Sequence, residues 1–237
     1  LYQQGMPERR CAALYNVSMS TRLAVPETLK ADAFGRILLV CEKGHMFIRR
    51  DLSVVSWWLR GLAGWLAKRE VAALRQIEVL PAVPRLLSWD GVRLDRSFLS
   101  GHMMYQRPPR GDLAYFRAAC RLLQQMHRCG VVHNDLAKEA NWLVLEDGSP
   151  GLIDFQLAVR GDPRAPLMRL LAREDLRHLL KHKRMYCPEA LTPVERRLLK
   201  RPSWVRRLWF VTGKPVYRFV TRRVLHWEDN EGRGARP

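Results

Sequence analysis

Along residues 36–51, RILLVCEKGHMFIRRD, two short aliphatic-rich runs flank the turn Glu42-Lys43-Gly44, a pattern that predicts a pair of strands. The period changes at residues 67–77. There Val71, Leu74 and Ile77 share one side and Lys68, Arg69 and Arg75 lie elsewhere, as in a helix, with Glu70 its only acid. Residues 79–89 are punctuated by proline and lead into a further strand, followed by the Asp90-Gly91 turn and a strand-like run near 97–106. Pro108, Pro109 and Gly111 break both periods and predict a link between two lobes. Asp112 then caps a helix that runs to about Cys129, with Gly130 as its stop and Leu113, Phe116, Leu122, Leu123 and Met126 as its apolar stripe.

The helix delivers the chain into VVHNDLAKEANWLVLEDGSPGLIDFQ, residues 131–156. Residues 142–146 and 151–153 are apolar, and Asp147-Gly148-Ser149-Pro150 between them is turn chemistry, so an antiparallel hairpin is expected. Asn141 precedes its first strand and Asp154 follows its second, so pairing the strands brings the two oxygen-bearing side chains together, with Asp135 just upstream. Two oxygen ligands beside a carboxylate suit magnesium, a hard ion that combines one or two protein carboxylates with waters and substrate phosphates.

Composition narrows the setting. A chain of 237 residues can build a full core as one domain or two packed lobes. Its formal charge of +18, from 41 Lys plus Arg against 23 Asp plus Glu, implies a polyanionic partner, an acidic membrane surface, or both. The five cysteines are scattered without close metal-ligand pairs, which argues against zinc and for free thiols in a reducing compartment. No secretory signal is expected, and the most apolar stretch, 54–67, is interrupted by Arg60 and falls short of the ~20 residues that span a bilayer. Residues 1–20 lack a clear period and are assigned no function.

On His133, Asp135, Leu136 and Asn141, and on Asp154 with Phe155, the chain resembles the protein-kinase-like superfamily, whose loops read H-R-D-L-x-x-x-N and D-F-G. The resemblance implies an α+β fold of two lobes: a small N-terminal antiparallel sheet and a mainly helical C-terminal lobe. It implies ATP and Mg2+ as cofactors, Asp135 to orient and deprotonate an acceptor hydroxyl, and Asn141 and Asp154 to hold the metal, with His133 structural. Phe47-Ile48-Arg49 resembles the V-A-I-K strand with arginine in place of lysine, which implies an ion pair between Arg49 and Glu70; the hairpin of residues 36–51 should lie over the nucleotide. Lys43 and Arg50 compete for the phosphate-binding role, and Lys138 is a further cation there. Asp175 resembles the aspartate that braces the catalytic loop.

Several positions depart from the superfamily pattern. One extra residue separates Asp135 from Asn141, which makes Glu139 a reserve ligand. Gln156 stands where glycine is usual, so a swinging metal loop is not expected, and neither a G-x-G-x-x-G loop nor an A-P-E segment is found, which predicts a short activation segment. The expected division is an N-terminal extension at 1–30, a nucleotide-binding lobe at 31–107, a catalytic lobe at 108–200 and a basic aromatic tail at 201–237.

The acceptor is the finer question. Small size, the F-I-R-R strand and the absent A-P-E segment look most like bacterial lipopolysaccharide core kinases acting on heptose or 3-deoxy-octulosonic acid, and next most like RIO-type protein kinases. A pseudokinase that binds a polyanion or a partner is the third alternative. From Arg160 onward there are 20 Lys plus Arg and 8 Asp plus Glu, and residues 204–227 interleave tryptophans with arginines. Such a tail suits the inner face of an anionic membrane carrying an acidic, lipid-linked saccharide acceptor. It also suits single-stranded nucleic acid, the less favoured partner, or packing onto the large lobe.

Overall fold

The computed structural model describes residues 26–42 and 44–200. Lys43 and the proposed tail lie outside the described residues. The first five strands, β1 (Glu27–Asp32), β2 (Gly35–Glu42), β3 (His45–Asp51), β4 (Leu86–Trp89) and β5 (Arg93–Ser97), form one antiparallel sheet in the order β1-β2-β3-β5-β4. Helix α1 (Arg60–Gln76) crosses between β3 and β4. The second half holds α2 (Leu113–Arg128), α3 (Pro166–Tyr186) and α4 (Pro193–Lys200), a three-stranded sheet of β6 (Gly101–Met103), β8 (Trp142–Leu145) and β9 (Pro150–Leu152), and a two-stranded ribbon of β7 (Val131–Val132) and β10 (Val159–Arg160). This is the expected α+β, two-lobed, kinase-like architecture.

Three boundaries differ from the sequence reading. Strand β1 begins inside the segment read as an extension, and it pairs with β2 from Glu27↔Leu39 to Asp32↔Gly35. Its alternating half-buried positions carry no strong apolar signal, because one face of this edge strand meets solvent. Helix α1 starts at Arg60, seven residues before the periodic stretch, and the strand-like run at 97–106 divides between the two sheets. Because β6 already pairs with β8, the chain leaves the first sheet at 98–100, ahead of the proline pair.

The larger core joins α2, α3, β8 and β9 around Tyr115, Phe116, Leu123, Trp142 and Phe155, and it also takes Ala73 and Leu74 from α1 and Ile77 just past its end. A smaller cluster, Leu52, Val55, Leu59, Ala63 and Ala67, fixes the other end of α1 to the first sheet. Helix α1 is therefore pinned to both lobes. Gln76 Nε2 donates to the Cys129 carbonyl at 2.6 Å, and Arg69 donates to the carbonyls of Leu157 and Ala158. The cap of α2 forms as its sequence requires, with Asp112 accepting from Tyr115 N at 2.9 Å. Gly130 ends the helix at φ +73, where a Cβ would meet the Gly161 carbonyl at 2.5 Å. Four cysteines among the described residues are free thiols. No described helix is long and apolar enough to cross a membrane.

Candidate active site

The hairpin β8–β9 closes through Asp147, whose carboxylate accepts from Ser149 N at 2.8 Å, and through Gly148 at φ +80. At its open end the Ile153 amide donates to the Asn141 carbonyl at 3.1 Å, so the two loops are tied together by backbone. The extra residue before Asn141 is taken up in a 3-10 turn, Glu139–Asn141. That turn aims Asn141 back at Asp135: its Nδ2 donates to the Asp135 carbonyl at 2.9 Å and to Oδ2 at 3.1 Å. Lys138 Nζ approaches the same Oδ2 at 3.2 Å. Glu139 points away, to the Tyr186 hydroxyl at 2.8 Å, and takes no place in the site.

Asp154 sits in the left-handed region at φ 67, rare for a residue with a side chain. Gln156 needs no positive φ, because it lies in the 3-10 turn Phe155–Leu157, and its amide donates to Asp154 Oδ1 at 2.6 Å. Burial works to raise the Asp154 carboxyl, but the guanidinium groups of Arg50 and Arg96, with the Gln156 bond, hold it below its ordinary value. It is accordingly a carboxylate at neutral pH. Phe155 is fully buried and packs on His133 at 4.7 Å between ring centroids, while His133 Nε2 meets the Ile153 carbonyl at 2.9 Å.

Beneath the loop, Asp175 of α3 is 1% exposed. Its carboxylate accepts from the amides of His133 at 2.8 Å and Asn134 at 3.0 Å and meets His127 Nε2 at 3.1 Å. These bonds hold the loop where Asn134 takes φ 64. The bracing role that the resemblance implied for Asp175 is the arrangement found.

The ion pair expected between Arg49 and Glu70 is not formed. Residues alternate across a strand, so neighbours face opposite sides of the sheet. Arg49 lies on the face away from the cleft, directly opposite Asp95 in the register, and binds its carboxylate with two bonds of 2.8 Å. Arg50 faces inward, 5% exposed, with Nη1 3.8 Å from Glu70, and Arg96 of β5 reaches the same carboxylate. Glu70 is thus sealed between two arginines. Of the two competing cations, Arg50 takes this place and Lys43 lies outside the described residues; Arg96 is not legible from the sequence, since only the pairing of Ile48 with Arg96 puts it on this face.

The space enclosed is a cleft of about 210 Å³ between the first sheet and the hairpin. Leu29, Ile37, Ile48, Phe98, Met103 and Ile153 give it apolar walls, and Arg96, Lys138, Asn141 and Asp154 line it as well. The hairpin of residues 36–51 contributes Ile37 and Ile48, and β1 adds Leu29 and Lys30. Among the described residues no group of three or more His, Cys, Asp and Glu could hold a metal alone. An amide oxygen and one carboxylate at the end of an apolar cleft fit an ion that completes its shell with phosphate and water. Arg50 Nε, buried without a hydrogen-bond partner, adds an unsatisfied donor near that end.

No curated protein matches the chain. Residues 49–199, more than half of it, match the model of the phosphotransferase enzyme family APH, a span that takes in the end of β3, α1, the catalytic loop, the hairpin and α3. The chain belongs to the APH phosphotransferase enzyme family, within the protein-kinase-like superfamily.

Proposed function

We propose that this phosphotransferase is an ATP- and Mg2+-dependent kinase that transfers the γ-phosphoryl group to a hydroxyl of a lipopolysaccharide inner-core sugar. The observation that carries the kinase reading is the convergence of Asp135, Asn141 and Asp154 at one end of an apolar cleft whose other wall bears Arg96. The adenine would lie between Ile37, Ile48 and Ile153. Asn141 and Asp154 would hold Mg2+, which when bound screens the phosphate charge. Arg96, with Arg50 behind it, takes the role first given to Arg49. Glu70 fixes both guanidiniums, and burial keeps their charge from being screened by water. Asp135, held by the Asn141 amide and Lys138, orients the acceptor hydroxyl and takes its proton. Transfer is direct, with positioning and charge stabilisation as the main contributions.

Support for a saccharide acceptor comes from the activation segment. Only residues 161–165 separate β10 from α3, which leaves little chain on which a peptide substrate would lie. The strongly basic chain suits an acidic acceptor. The test offers γ-labelled ATP and Mg2+ to the full chain with core lipopolysaccharide and a cell protein extract in parallel, using Asp154→Asn as control. Asp154-dependent label in the lipid fraction is the expected result. Label confined to protein bands would replace the saccharide reading with a RIO-like one, and nucleotide binding without transfer to either would point to a pseudokinase.

A further inference from the structure

Helix α1 presents two different faces. Inward, Ala63, Ala67, Val71 and Leu74 are buried. Outward, Trp58 in the preceding turn and Leu62 and Trp65 on the helix fall at helical spacing and stay 49%, 47% and 51% exposed, while Trp57 beside Trp58 is 82% exposed. Large apolar side chains grouped on one helical stripe differ from scattered surface residues, and grouped patches mark a contact surface.

The charge around them is one-sided. Between Leu52 and Arg69 the chain contains Arg60, Lys68 and Arg69 and no acid, and Glu70 next along is fully buried. Below Trp65 the stripe opens into a groove of about 370 Å³ lined by Lys68, Arg69, Ala72, Ala158 and Arg160, without a carboxylate. The surface therefore runs from aromatic to cationic over a few turns of one helix. An indole has an apolar body and a polar edge that suit the headgroup level of a bilayer, and cations one or two turns away reach lipid phosphates.

The same edge borders the catalytic loop. Arg69 stacks on Trp65 at 4.6 Å and donates to the Leu157 carbonyl at 3.1 Å, and that carbonyl also receives Asn134 Nδ2 at 3.5 Å. Asp135 is the next residue. From this placement we infer that the outward face of α1 docks on an anionic lipid bilayer, with Trp57, Trp58, Leu62 and Trp65 in the interface and Lys68 and Arg160 at the headgroup phosphates. Docking brings the catalytic loop to the membrane surface. The inference holds whichever hydroxyl is phosphorylated, and it locates lipid contact on the folded lobe rather than in residues 204–227.

The test is co-sedimentation of the full chain with phosphatidylcholine vesicles that contain or lack phosphatidylglycerol. Both variants below retain the tail. The Trp57→Ser, Trp58→Ser, Leu62→Ser triple variant should lose at least ~tenfold in partitioning to the anionic vesicles. Lys68→Glu with Arg160→Glu should erase the preference for them. The nucleotide-induced rise in Tm should persist in the triple variant, which separates lost docking from lost fold and from failure of the kinase reading. Equal partitioning of wild type and triple variant would overturn the inference. So would a wild-type dimer, by sedimentation velocity without vesicles, that the triple variant makes monomeric, since the face would then serve a second copy of the chain.

Discussion

One position along β3 separates two arginines with different surroundings. Arg49 pairs with Asp95 and stacks at 5.2 Å over Phe47 on the far face, whereas Arg50 meets Glu70 on the cleft face. Sequence cannot set this phase, because Phe47, Ile48, Arg50 and Asp51 are all buried and the strand shows no alternation. Asp135, Asn141 and Asp154 were legible because they sit close in sequence around a hairpin whose turn chemistry fixes its ends. Arg50→Ala or Arg96→Ala is expected to raise KM for ATP or lower kcat by at least ~tenfold, leaving Glu70 buried beside one cation instead of two. Arg49→Ala should stay within ~threefold, since Arg49 pairs with Asp95 on the face away from the cleft and does not line it. Steady-state kinetics on the three variants checks the assignment; a large effect at Arg49 with none at Arg50 would reverse it. Asp154→Asn removes a carboxylate and should cut turnover by well over tenfold, more than ~1.4 kcal/mol in the barrier.

At the level of elements, α3 holds the catalytic loop through Asp175, with His182 at the Leu136 carbonyl and Tyr186 at Glu139 further along the helix. Asp175→Ala would strand the amides of His133 and Asn134 in a buried site, and denaturant unfolding should register a loss of ~2–5 kcal/mol. The adjacent turn carries a pH response. Burial, with Lys181 adding repulsion, pushes His178 down to about 4, and its Nδ1 is buried without a hydrogen-bond partner. The folded state then binds fewer protons than the unfolded one between about pH 6.5 and 4, so stability is complete above that window and falls as pH drops through it. His182, also pulled down by burial, acts in the same direction. Thermal unfolding followed by circular dichroism should lose ~1–3 kcal/mol across the window, and His178→Gln should flatten the decline. An unchanged slope in that variant would place the response elsewhere. Helix α2 was readable end to end because cap, stripe and stop agree. Helix α1 was not, because its first turns combine a buried face of Leu59 and Ala63 with exposed tryptophans, which erases the contrast that periodicity needs.

At the scale of the whole molecule, α1 packs against both lobes, and the cleft lies between the five-stranded sheet and the loops flanking the β8–β9 hairpin. Its walls come from β1, β2, β3, β5, the 98–100 crossing, β6 and the hairpin, so no single lobe encloses a ligand. A ligand held by both lobes binds only the folded form and must raise its stability by mass action. With nucleotide and Mg2+ at about a hundred times Kd, the gain is ~2.7 kcal/mol, and for a chain of this size each kcal/mol raises Tm by ~2–4 °C. A rise of ~5–10 °C is therefore expected with both present. Asp154→Asn should retain much of the rise from nucleotide alone, whose base meets apolar walls, and lose the additional rise from Mg2+, whose protein ligand has been neutralised. If the variant keeps the full metal-dependent increment, Asp154 does not hold the ion. Because α1 is bonded to the Cys129, Leu157 and Ala158 carbonyls, Glu70 is held in place between its arginines by contacts to both lobes. With the helix fixed in this way, stabilisation by nucleotide should saturate as a single-site curve rather than a two-step one.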